Sequence, residues 1–459
     1  MHRLLNIRNS IISFFLSGVL SASPRRLDTI LGVLECLRFH DREWKENSKV
    51  LRKLIREGHP FTVFLTRLNE EITPKCRRKL LTNLIVGGWL NNQAQRKKFK
   101  EEHGFLPPLT VSIAPTSKCN LNCAHCSAAI TGSEELDLAV LNRVVEESRD
   151  NMGVHYFILT GGEPLLYPHF FDLLERYPDC YFQIFTNGTL IDDGALRKLK
   201  DLGNALLMVS VEGFEEITDR RRRKGAFKMA VEAMRRLRSA GLPFGFSVMT
   251  TRENCESVTS EEFIDWALDR GCLLGYYFHY MPMGQDPDLS LLPTPEQRDQ
   301  SRRNVYRWRN EKPIVLIDVL NDGPLTAGCS SAGRYYVHVL PSGEVTPCVY
   351  NLFSTHNVKE VSLTDALKSP YLSTLRRTIP FEGNALRCCL LLDRPKFFFR
   401  TLELFHPKSP TPGAEETLKG MKHELEAYAK RIKEIYDEAW ERGDWESIIK
   451  SIRFDVEKC

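Results

Sequence analysis

Three cysteines stand close together in the stretch Cys119-Asn-Leu-Asn-Cys123-Ala-His-Cys126, a C-x3-C-x2-C pattern. Thiolates are the ligands of iron–sulfur clusters, and a short loop lets three of them converge on one cluster. With three protein ligands, the fourth iron stays open to another molecule. A zinc site is the alternative, but structural zinc usually takes four ligands, and His125 lies in the same tight loop. The spacing favours a cluster and leaves zinc open.

Four further motifs each directly follow an apolar run. They are Gly161-Gly162-Glu163-Pro164, Thr186-Asn187-Gly188, Ser210-Val211-Glu212-Gly213 and Met281-Pro282-Met283-Gly284. In parallel α/β folds, functional groups collect at the carboxyl ends of the strands. Two successive glycines allow a close backbone approach, and Glu163 offers an acceptor to an ammonium group. Each motif alone is weak, because Asn-Gly is usually a turn and an arginine run is usually a solvated face.

The elements that carry these motifs can be read from periodicity. From residue 109, six short apolar runs alternate with helical patterns, which predicts an α/β fold with a parallel sheet, a partial (β/α)6 TIM-like barrel. Residues 27–103 are helical in pattern, and Pro107-Pro108 ends that region. After residue 313 comes a strand-like run, then a hairpin predicted to turn at Pro341-Ser342-Gly343. We expect four regions: a basic helical part (1–104), a catalytic core (105–312), a small auxiliary region (313–400) and a helical tail (401–459).

Taken together, the motifs resemble the radical S-adenosylmethionine (radical SAM) superfamily. Its signature is C-x3-C-x-Φ-C with Φ usually aromatic, and His125 is a departure from it. In that resemblance Gly161, Gly162 and Glu163 match the segment that binds the methionyl amino group. Asn187 belongs to the next strand-end motif, and Ser210 and Glu212 match the ribose-side S-x-D-G, with Glu replacing Asp. Arg222 matches an arginine near the carboxylate of S-adenosylmethionine, although Arg220, Arg221 and Arg223 flank it.

The resemblance implies a chemistry. Cys119, Cys123 and Cys126 would hold a [4Fe–4S] cluster whose open iron is chelated by S-adenosylmethionine. Reductive cleavage of the sulfonium would yield a 5′-deoxyadenosyl radical that abstracts hydrogen from substrate. The resemblance also implies an electron donor, such as a flavodoxin or ferredoxin. The competing class is a non-enzymatic iron–sulfur or zinc protein with structural or electron-carrying clusters, which has no need of the S-adenosylmethionine motifs.

A second cysteine group follows the core. Cys329, Gly343 and Cys348 form C-x13-G-x4-C, which resembles the opening of the SPASM or twitch auxiliary-cluster domains. Only Cys388 and Cys389 follow, so the region resembles a truncated version with at most one auxiliary cluster. Adjacent side chains diverge along an extended backbone. We therefore expect Cys329, Cys348 and one of the pair to bind, with zinc or uncoordinated thiols as alternatives.

The sixth apolar run, Tyr276 to Tyr280, contains the candidates for a catalytic side chain. Alternate members of a strand should face the barrel interior, which makes His279 or Tyr280 a candidate for contacting substrate or relaying a proton. An ordinary packed aromatic strand is the competing interpretation.

Charge is distributed unevenly: residues 1–100 carry a net charge of +12 and the remainder −8. A basic, amphipathic front with an apolar start at residues 11–20 suggests peripheral contact with an anionic membrane, or else a solvated helical surface. The apolar start loosely resembles a secretory signal, yet an oxygen-sensitive cluster favours the cytoplasm. Three substrate classes stay open: a lipid and a peptide or protein, which are favoured, and a small cofactor. Nucleic acid is disfavoured because the basic residues are not interleaved with aromatic stacking platforms.

Overall fold

The computed structural model describes residues 28–29, 49, 52–84, 92–126, 134–284, 286–381, 383–446 and 448. Within these residues, nine strands form one sheet in the order β7-β6-β5-β4-β3-β2-β1-β8-β9. They are β1 (Thr110–Ile113), β2 (Tyr156–Leu159), β3 (Tyr181–Thr186), β4 (Ala205–Ser210), β5 (Phe244–Thr250), β6 (Leu274–His279), β7 (Val315–Asp318), β8 (Tyr336–Val339) and β9 (Val345–Thr346). Each neighbouring pair is parallel except β8 and β9, which are antiparallel.

The six predicted apolar runs are β1 to β6, so the predicted α/β partial barrel is confirmed. Two strands of the region after residue 312 extend it: β7 pairs with β6, and β8 pairs with β1 on the opposite side. The predicted hairpin is also confirmed, since β8 and β9 flank a turn in which Gly343 has a φ of 97°. The core and the auxiliary region therefore share one sheet, while their boundaries stay a prediction.

Helices alternate with the strands. In the front and core they are α1 (Pro60–Glu71), α2 (Pro74–Lys79), α3 (Gln93–His103), α4 (Leu138–Asp150), α5 (Phe170–Arg176), α6 (Asp193–Leu202), α7 (Glu215–Arg222), α8 (Ala226–Ala240), α9 (Cys255–Val258) and α10 (Glu261–Asp269). Beyond the core they are α11 (Pro295–Glu311), α12 (Leu363–Leu367), α13 (Pro370–Thr378), α14 (Leu390–Asp393), α15 (Pro395–Phe405), α16 (Ala414–Gly420) and α17 (Lys422–Glu441). Short 3₁₀ turns cover Pro164–Leu166, Leu289–Leu291 and Gly323–Thr326.

Local sequence explains where many helices begin. The side chains of Asp137, Asp192 and Ser260 accept backbone N–H groups at the starts of α4, α6 and α10. Thr294 and Gln297 form a capping box at the start of α11. Such caps satisfy amide donors that a helix leaves unpaired, and each contributes about 1 kcal/mol.

The two faces of the sheet have different roles. One face packs on the helices through a continuous apolar core that includes Val111, Phe157, Leu207 and Phe246. The other lines the barrel interior, as shown by Phe185 of β3, whose ring lies 5.2 Å from Tyr276 and 5.1 Å from Phe278 of β6. Because β3 and β6 are separated by two strands, this contact requires the sheet to curl.

The segment that follows α2 packs against the amino-terminal end of the barrel. Leu80 and Leu84 pack on Tyr181, Leu206 and Met208, which face the interior. The apolar start at residues 11–20 lies outside the described residues. Within the described part of the chain, no helix is long and apolar enough to cross a bilayer.

Candidate active site

The cysteine triplet lies on the loop that follows β1, at the carboxyl end of the sheet. Cys119 is exposed, and Cys123 and Cys126 are partly buried. The loop's backbone is tied to the motif after β2: Gly162 donates its N–H to the Thr116 carbonyl at 2.9 Å, and Glu163 donates to the Lys118 carbonyl at 2.8 Å. The loop that carries the thiols is therefore held by the Gly-Gly-Glu-Pro segment.

This contact explains the glycine pair. A Cβ on Gly162 would lie 2.1 Å from the Lys118 carbonyl oxygen, and one on Gly161 would lie 2.6 Å from that of Thr116. Gly161 also has a φ of 114°, a conformation that residues with a side chain rarely adopt. The close approach that these glycines permit is to the cysteine loop itself. Their contact with a bound ligand stays a prediction.

Glu163 joins the ends of two strands. Its side chain is 1% exposed. Its carboxylate accepts hydrogen bonds from Thr186 Oγ1 at 2.7 Å and from the backbone N–H of Asn187 at 2.8 Å. Burial raises the pKa of Glu163 to about 7. The carboxylate thus positions the motif after β3, and its predicted role towards an ammonium group stays a prediction.

Asn187 extends this arrangement to the cysteine loop. Its Nδ2 donates to Asn120 Oδ1 at 2.8 Å and lies 3.9 Å from Cys119 Sγ. A chain of contacts therefore runs from Glu163 through Asn187 to the first cysteine.

A second support comes from Glu212, which follows β4. Its fully buried carboxylate accepts hydrogen bonds from Arg222 Nε at 2.8 Å and from the Met249 amide at 3.1 Å, and it also pairs with Arg221. The Ala124 amide in the cysteine loop donates to the Arg221 carbonyl at 2.9 Å. Burial raises the pKa of the Cys123 thiol, and the charges of Arg222 and Arg221 oppose that shift. Two guanidinium groups are thus held beside the thiols.

Arg220 has a different ion-pair partner from Arg221 and Arg222. Arg220 forms an exposed ion pair with Glu253, whereas Arg221 and Arg222 share Glu212. The expected position of Arg222 near the carboxylate of S-adenosylmethionine stays a prediction, and Arg221 is held by the same Glu212 carboxylate. Ser210 lies 3.1 Å, Oγ to Oγ, from Ser247 on the neighbouring strand.

The auxiliary cysteines converge although 59 residues of chain lie between the first and the last. Cys329, Cys348, Cys388 and Cys389 line one cavity. The same cavity is lined by Val319 and Leu320, which follow β7, and by Tyr336 of β8, so it lies between the two sides of the curled sheet. Both members of the adjacent pair reach the cavity, which differs from the expected divergence.

The donor sets fit iron–sulfur clusters. Each site offers thiols, the ligands that such clusters use, and the triplet leaves one of four irons without a protein ligand. A tetrahedral zinc ion with Zn–S bonds of about 2.3 Å would draw its ligand atoms to within about 4 Å of one another. Among the described residues, three metal-binding atoms lie within 4.8 Å of one another only at His155, Asp179 and Cys180, at the opposite end of the strands. Neither cysteine group therefore has the ligand spacing of a zinc site.

Comparison with known proteins agrees with this geometry. A model described as the radical SAM superfamily matches residues 113–264, and a model described as an iron–sulfur cluster-binding domain, SPASM, matches residues 329–389. The chain belongs to the radical SAM superfamily. The expectation of an enzyme that uses a [4Fe–4S] cluster and S-adenosylmethionine is confirmed, so the non-enzymatic alternative is not retained. A radical SAM enzyme requires a reductant.

Several curated relatives of this radical SAM chain are maturases. It is 27% identical over 306 residues to PqqA peptide cyclase of Gluconobacter oxydans, covering 63% of this chain and 84% of that protein. It is 31% identical over 268 residues to mycofactocin maturase MftC of Mycolicibacterium smegmatis, covering 54% and 66%. It is also 28% identical over 284 residues to an AdoMet-dependent heme synthase of Methanosarcina barkeri, covering 55% and 80%.

Solved structures share the radical SAM fold. Streptococcus suis SuiB bound to S-adenosylmethionine aligns with a TM-score of 0.53 at 16% identity, covering 65% of this chain and 76% of that one. The enzyme anSMEcpe with bound AdoMet and a peptide aligns with a TM-score of 0.51 at 18% identity, covering 71% and 100%. These similarities confirm the partial barrel.

His279 does not face the barrel interior, where a catalytic side chain was expected, whereas Tyr280 lies near the cysteine loop. Because Tyr276 and Phe278 point into the barrel, His279 lies on the opposite, helix-facing side of β6. It is 2% exposed, and its Nε2 lies 2.7 Å from Asp318 Oδ1 on β7. Tyr280 is buried after the strand; its ring centroid is 6.5 Å from that of His125, and its hydroxyl accepts the Asp288 N–H at 2.7 Å. A catalytic role for either residue stays a prediction, with Tyr280 the nearer to the cysteine loop.

Reasoning from sequence missed several supporting residues. Asn120 and Thr186 hold the site through hydrogen bonds, and Arg221 shares Glu212 with Arg222. Thr186 lies inside the Thr186-Asn187-Gly188 motif and Asn120 inside the cysteine loop, so considering every member of each motif would have included them. His125 Nδ1 lies 2.7 Å from the Asp286 carbonyl, and nothing in the sequence indicated that pairing.

Proposed function

We propose that this radical SAM enzyme modifies a peptide or protein and carries one auxiliary iron–sulfur cluster. The observation that carries the proposal is the pair of thiol sites in one barrel: a three-cysteine loop braced by Glu163 and Glu212, and four further cysteines around one cavity. Relatives over more than half of the chain include a peptide cyclase and mycofactocin maturases. Their names support the substrate class, which residue chemistry alone left open.

In this proposal Cys119, Cys123 and Cys126 hold the first cluster. When bound, the cluster and S-adenosylmethionine supply reductive cleavage of a sulfonium, which starts hydrogen abstraction from substrate. Arg221 and Arg222 present positive charge beside the thiols, suited to a carboxylate ligand. Glu212 holds both guanidinium groups, and it is itself fixed by the Met249 amide. Pre-set partners of this kind keep a ligand-binding group oriented without reorganisation during the reaction.

Substrate is expected to reach the barrel interior from the carboxyl end of the strands. Phe185, Tyr276 and Phe278 form an aromatic floor there, and Tyr156 donates to Gln183 beneath it. Packed side chains of this size exclude water from the region where a reactive carbon radical would be formed. Leu80 and Leu84, which follow α2, cover the other end of the barrel, so the cysteine loop lies at the uncovered end.

The substrate class can be tested without knowing the substrate. Cells of the source organism grown in deuterated medium provide a peptide and protein fraction and a lipid fraction, each offered to the anaerobically reconstituted and reduced enzyme. Hydrogen abstraction transfers substrate deuterium to 5′-deoxyadenosine, which mass spectrometry detects. We expect deuterium transfer from the peptide fraction and its loss after protease digestion. Transfer from the lipid fraction, or from a protease-resistant small-molecule fraction, would contradict the proposal.

Peripheral membrane contact was proposed for the basic front, whose residues 1–27 lie outside the described ones. Deleting residues 1–25 should reduce binding to anionic liposomes while leaving binding to neutral liposomes unchanged. Equal binding of the full and shortened chains would remove this part of the proposal.

We also propose an electron donor such as a flavodoxin or ferredoxin, and a cytoplasmic location. Both proposals follow from the need for a reductant at low potential. Supplying reduced flavodoxin in place of dithionite should support 5′-deoxyadenosine release.

A further inference from the structure

Four thiols face the auxiliary cavity, but their hydrogen bonds are not alike. A metal-bound cysteine is a thiolate, which accepts hydrogen bonds and has no proton to donate. Backbone N–H groups aimed at sulfur therefore suit a ligand, whereas a carbonyl oxygen aimed at sulfur does not. The partners of each sulfur thus distinguish ligands from bystanders.

Cys348 and Cys389 accept the same kind of local hydrogen bond. The Asn351 N–H donates to Cys348 Sγ at 3.2 Å, and the Leu392 N–H donates to Cys389 Sγ at 3.5 Å. In both cases the donor lies three residues after the cysteine, so each sulfur is held in a local turn. Cys329 has a neutral polar neighbour, Ser331, whose Oγ lies 3.0 Å from its sulfur and can donate a hydrogen bond.

Cys388 has the opposite environment. Its sulfur lies 3.3 Å from the Leu320 carbonyl oxygen, and the geometry requires the thiol proton to be the donor. The same carbonyl also accepts from Arg298 Nη2 at 3.4 Å. A metal-bound sulfur at this position would face a carbonyl lone pair and lose the hydrogen bond, which disfavours metal binding.

The backbone of the adjacent pair is held in this arrangement. The Cys389 N–H donates to Asp393 Oδ2 at 2.8 Å, and Asp393 pairs with Arg298, whose Nη1 lies 2.6 Å from Asp393 Oδ1. This buried pair fixes the turn in which Cys389 caps α14. The two side chains are therefore not free to exchange places.

We infer that Cys389, and not Cys388, completes the auxiliary site with Cys329 and Cys348, so that one iron of a [4Fe–4S] cluster there has no protein thiolate. This inference rests on the proposed function, because it presumes an auxiliary cluster. The open iron would take an oxygen, nitrogen or sulfur donor from a molecule in the cavity. Met281, Met283 and Tyr336 form part of the cavity wall, which suits a ligand whose donor atom is attached to an apolar body.

The test uses the full chain with Cys119, Cys123 and Cys126 changed to alanine, so that iron reports on the auxiliary site alone. Cys388→Ser and Cys389→Ser are then compared in that background. Serine preserves both local hydrogen bonds, because its hydroxyl can donate to Leu320 and can accept from Leu392. Equal melting temperatures of the two iron-free variants would show that both fold alike.

After anaerobic reconstitution, we expect about four irons per chain in the background protein and in Cys388→Ser. Cys389→Ser should lose most of that iron. Loss in Cys388→Ser, whether alone or together with Cys389→Ser, would overturn the assignment, as would full retention in both. If the background protein held no iron, the proposed auxiliary cluster and this inference would both be wrong. Release of 5′-deoxyadenosine by the unsubstituted chain tests the core cluster separately.

The open iron has its own readout. An iron without a protein thiolate is the one most readily removed by mild oxidation, so ferricyanide should convert the auxiliary cluster of the background protein and of Cys388→Ser into a three-iron form visible by EPR. Addition of free imidazole to the reduced protein should shift the EPR spectrum of the intact cluster. A cluster that resists ferricyanide and ignores imidazole would show that all four positions are filled.

Discussion

Arg298 and Asp393 form a two-pronged ion pair, with Nη1–Oδ1 and Nη2–Oδ2 distances of 2.6 and 3.1 Å, behind the auxiliary cysteines. Both side chains are almost completely buried. Arg298 also lies with its guanidinium carbon 5.1 Å from the ring centroid of Tyr436 on α17, and the Tyr436 hydroxyl donates to Asn321 at 2.7 Å. The carboxyl-terminal helix is therefore part of the support of the auxiliary site.

Arg298→Met should destabilise the protein by about 3–5 kcal/mol, because it leaves the Asp393 carboxylate buried without its partner. The free energy of unfolding from urea titration measures the effect. Arg431→Ala is the control, since Arg431 of α17 pairs at the exposed surface with Glu296, which lies on α11 like Arg298. That exposed pair should change stability little. Equal effects of the two substitutions would contradict the importance assigned to the buried pair.

Gly162→Ala should prevent assembly of the core cluster while leaving most of the fold intact. Its Cβ would lie 2.1 Å from the Lys118 carbonyl oxygen, so the cysteine loop must move. Iron analysis and circular dichroism should show a loss of about four irons with unchanged helix content. Gly420→Ala, where no atom lies within 4 Å of the added Cβ, is the control. A normal iron content in Gly162→Ala would show that the loop tolerates displacement.

Cys123→Ala should abolish S-adenosylmethionine cleavage by the reduced enzyme. Changes to groups that only support a metal ligand cost 10–100-fold in metal affinity or activity, so losing a ligand should lower 5′-deoxyadenosine release by more than about 100-fold. Cys255→Ala, which changes a buried cysteine away from the triplet, should retain activity. Sustained release by Cys123→Ala would refute the assignment of the triplet.

Glu163 should make the iron-free protein less stable as pH rises. Burial raises its pKa from 4.5 to about 7, so folding favours the protonated carboxyl. Its contribution to stability is fully present below pH 4.5, declines as pH rises towards 7, and then stays constant. The loss amounts to at most about 3 kcal/mol. Glu163→Gln cannot titrate, so the difference in unfolding free energy between the two proteins should change over this interval. A difference independent of pH would contradict the raised pKa.

Much of the site could be predicted because its residues are consecutive in sequence. The C-x3-C-x2-C loop specifies a cluster ligand set within eight residues, and each strand-end motif follows an apolar run that predicted its strand. The hairpin at residues 341–343 was likewise evident from its turn residues. These features depend on local chemistry and on the period of two along a strand, both of which are visible in one dimension.

Tertiary structure decided what depends on register and strand order. Periodicity predicts that alternate residues of β6 share a face, but packing decides that Tyr276 and Phe278 point inward and His279 does not. Arg221 and Arg222, and not Arg220, lie beside the thiols because the buried Glu212 pairs with both of them. Cys329 and Cys389 meet because β7 and β8 flank the same cavity, and Arg298 reaches Asp393 across 95 residues. Contacts between distant segments arise only when the chain closes around its core, so sequence spacing alone does not specify them.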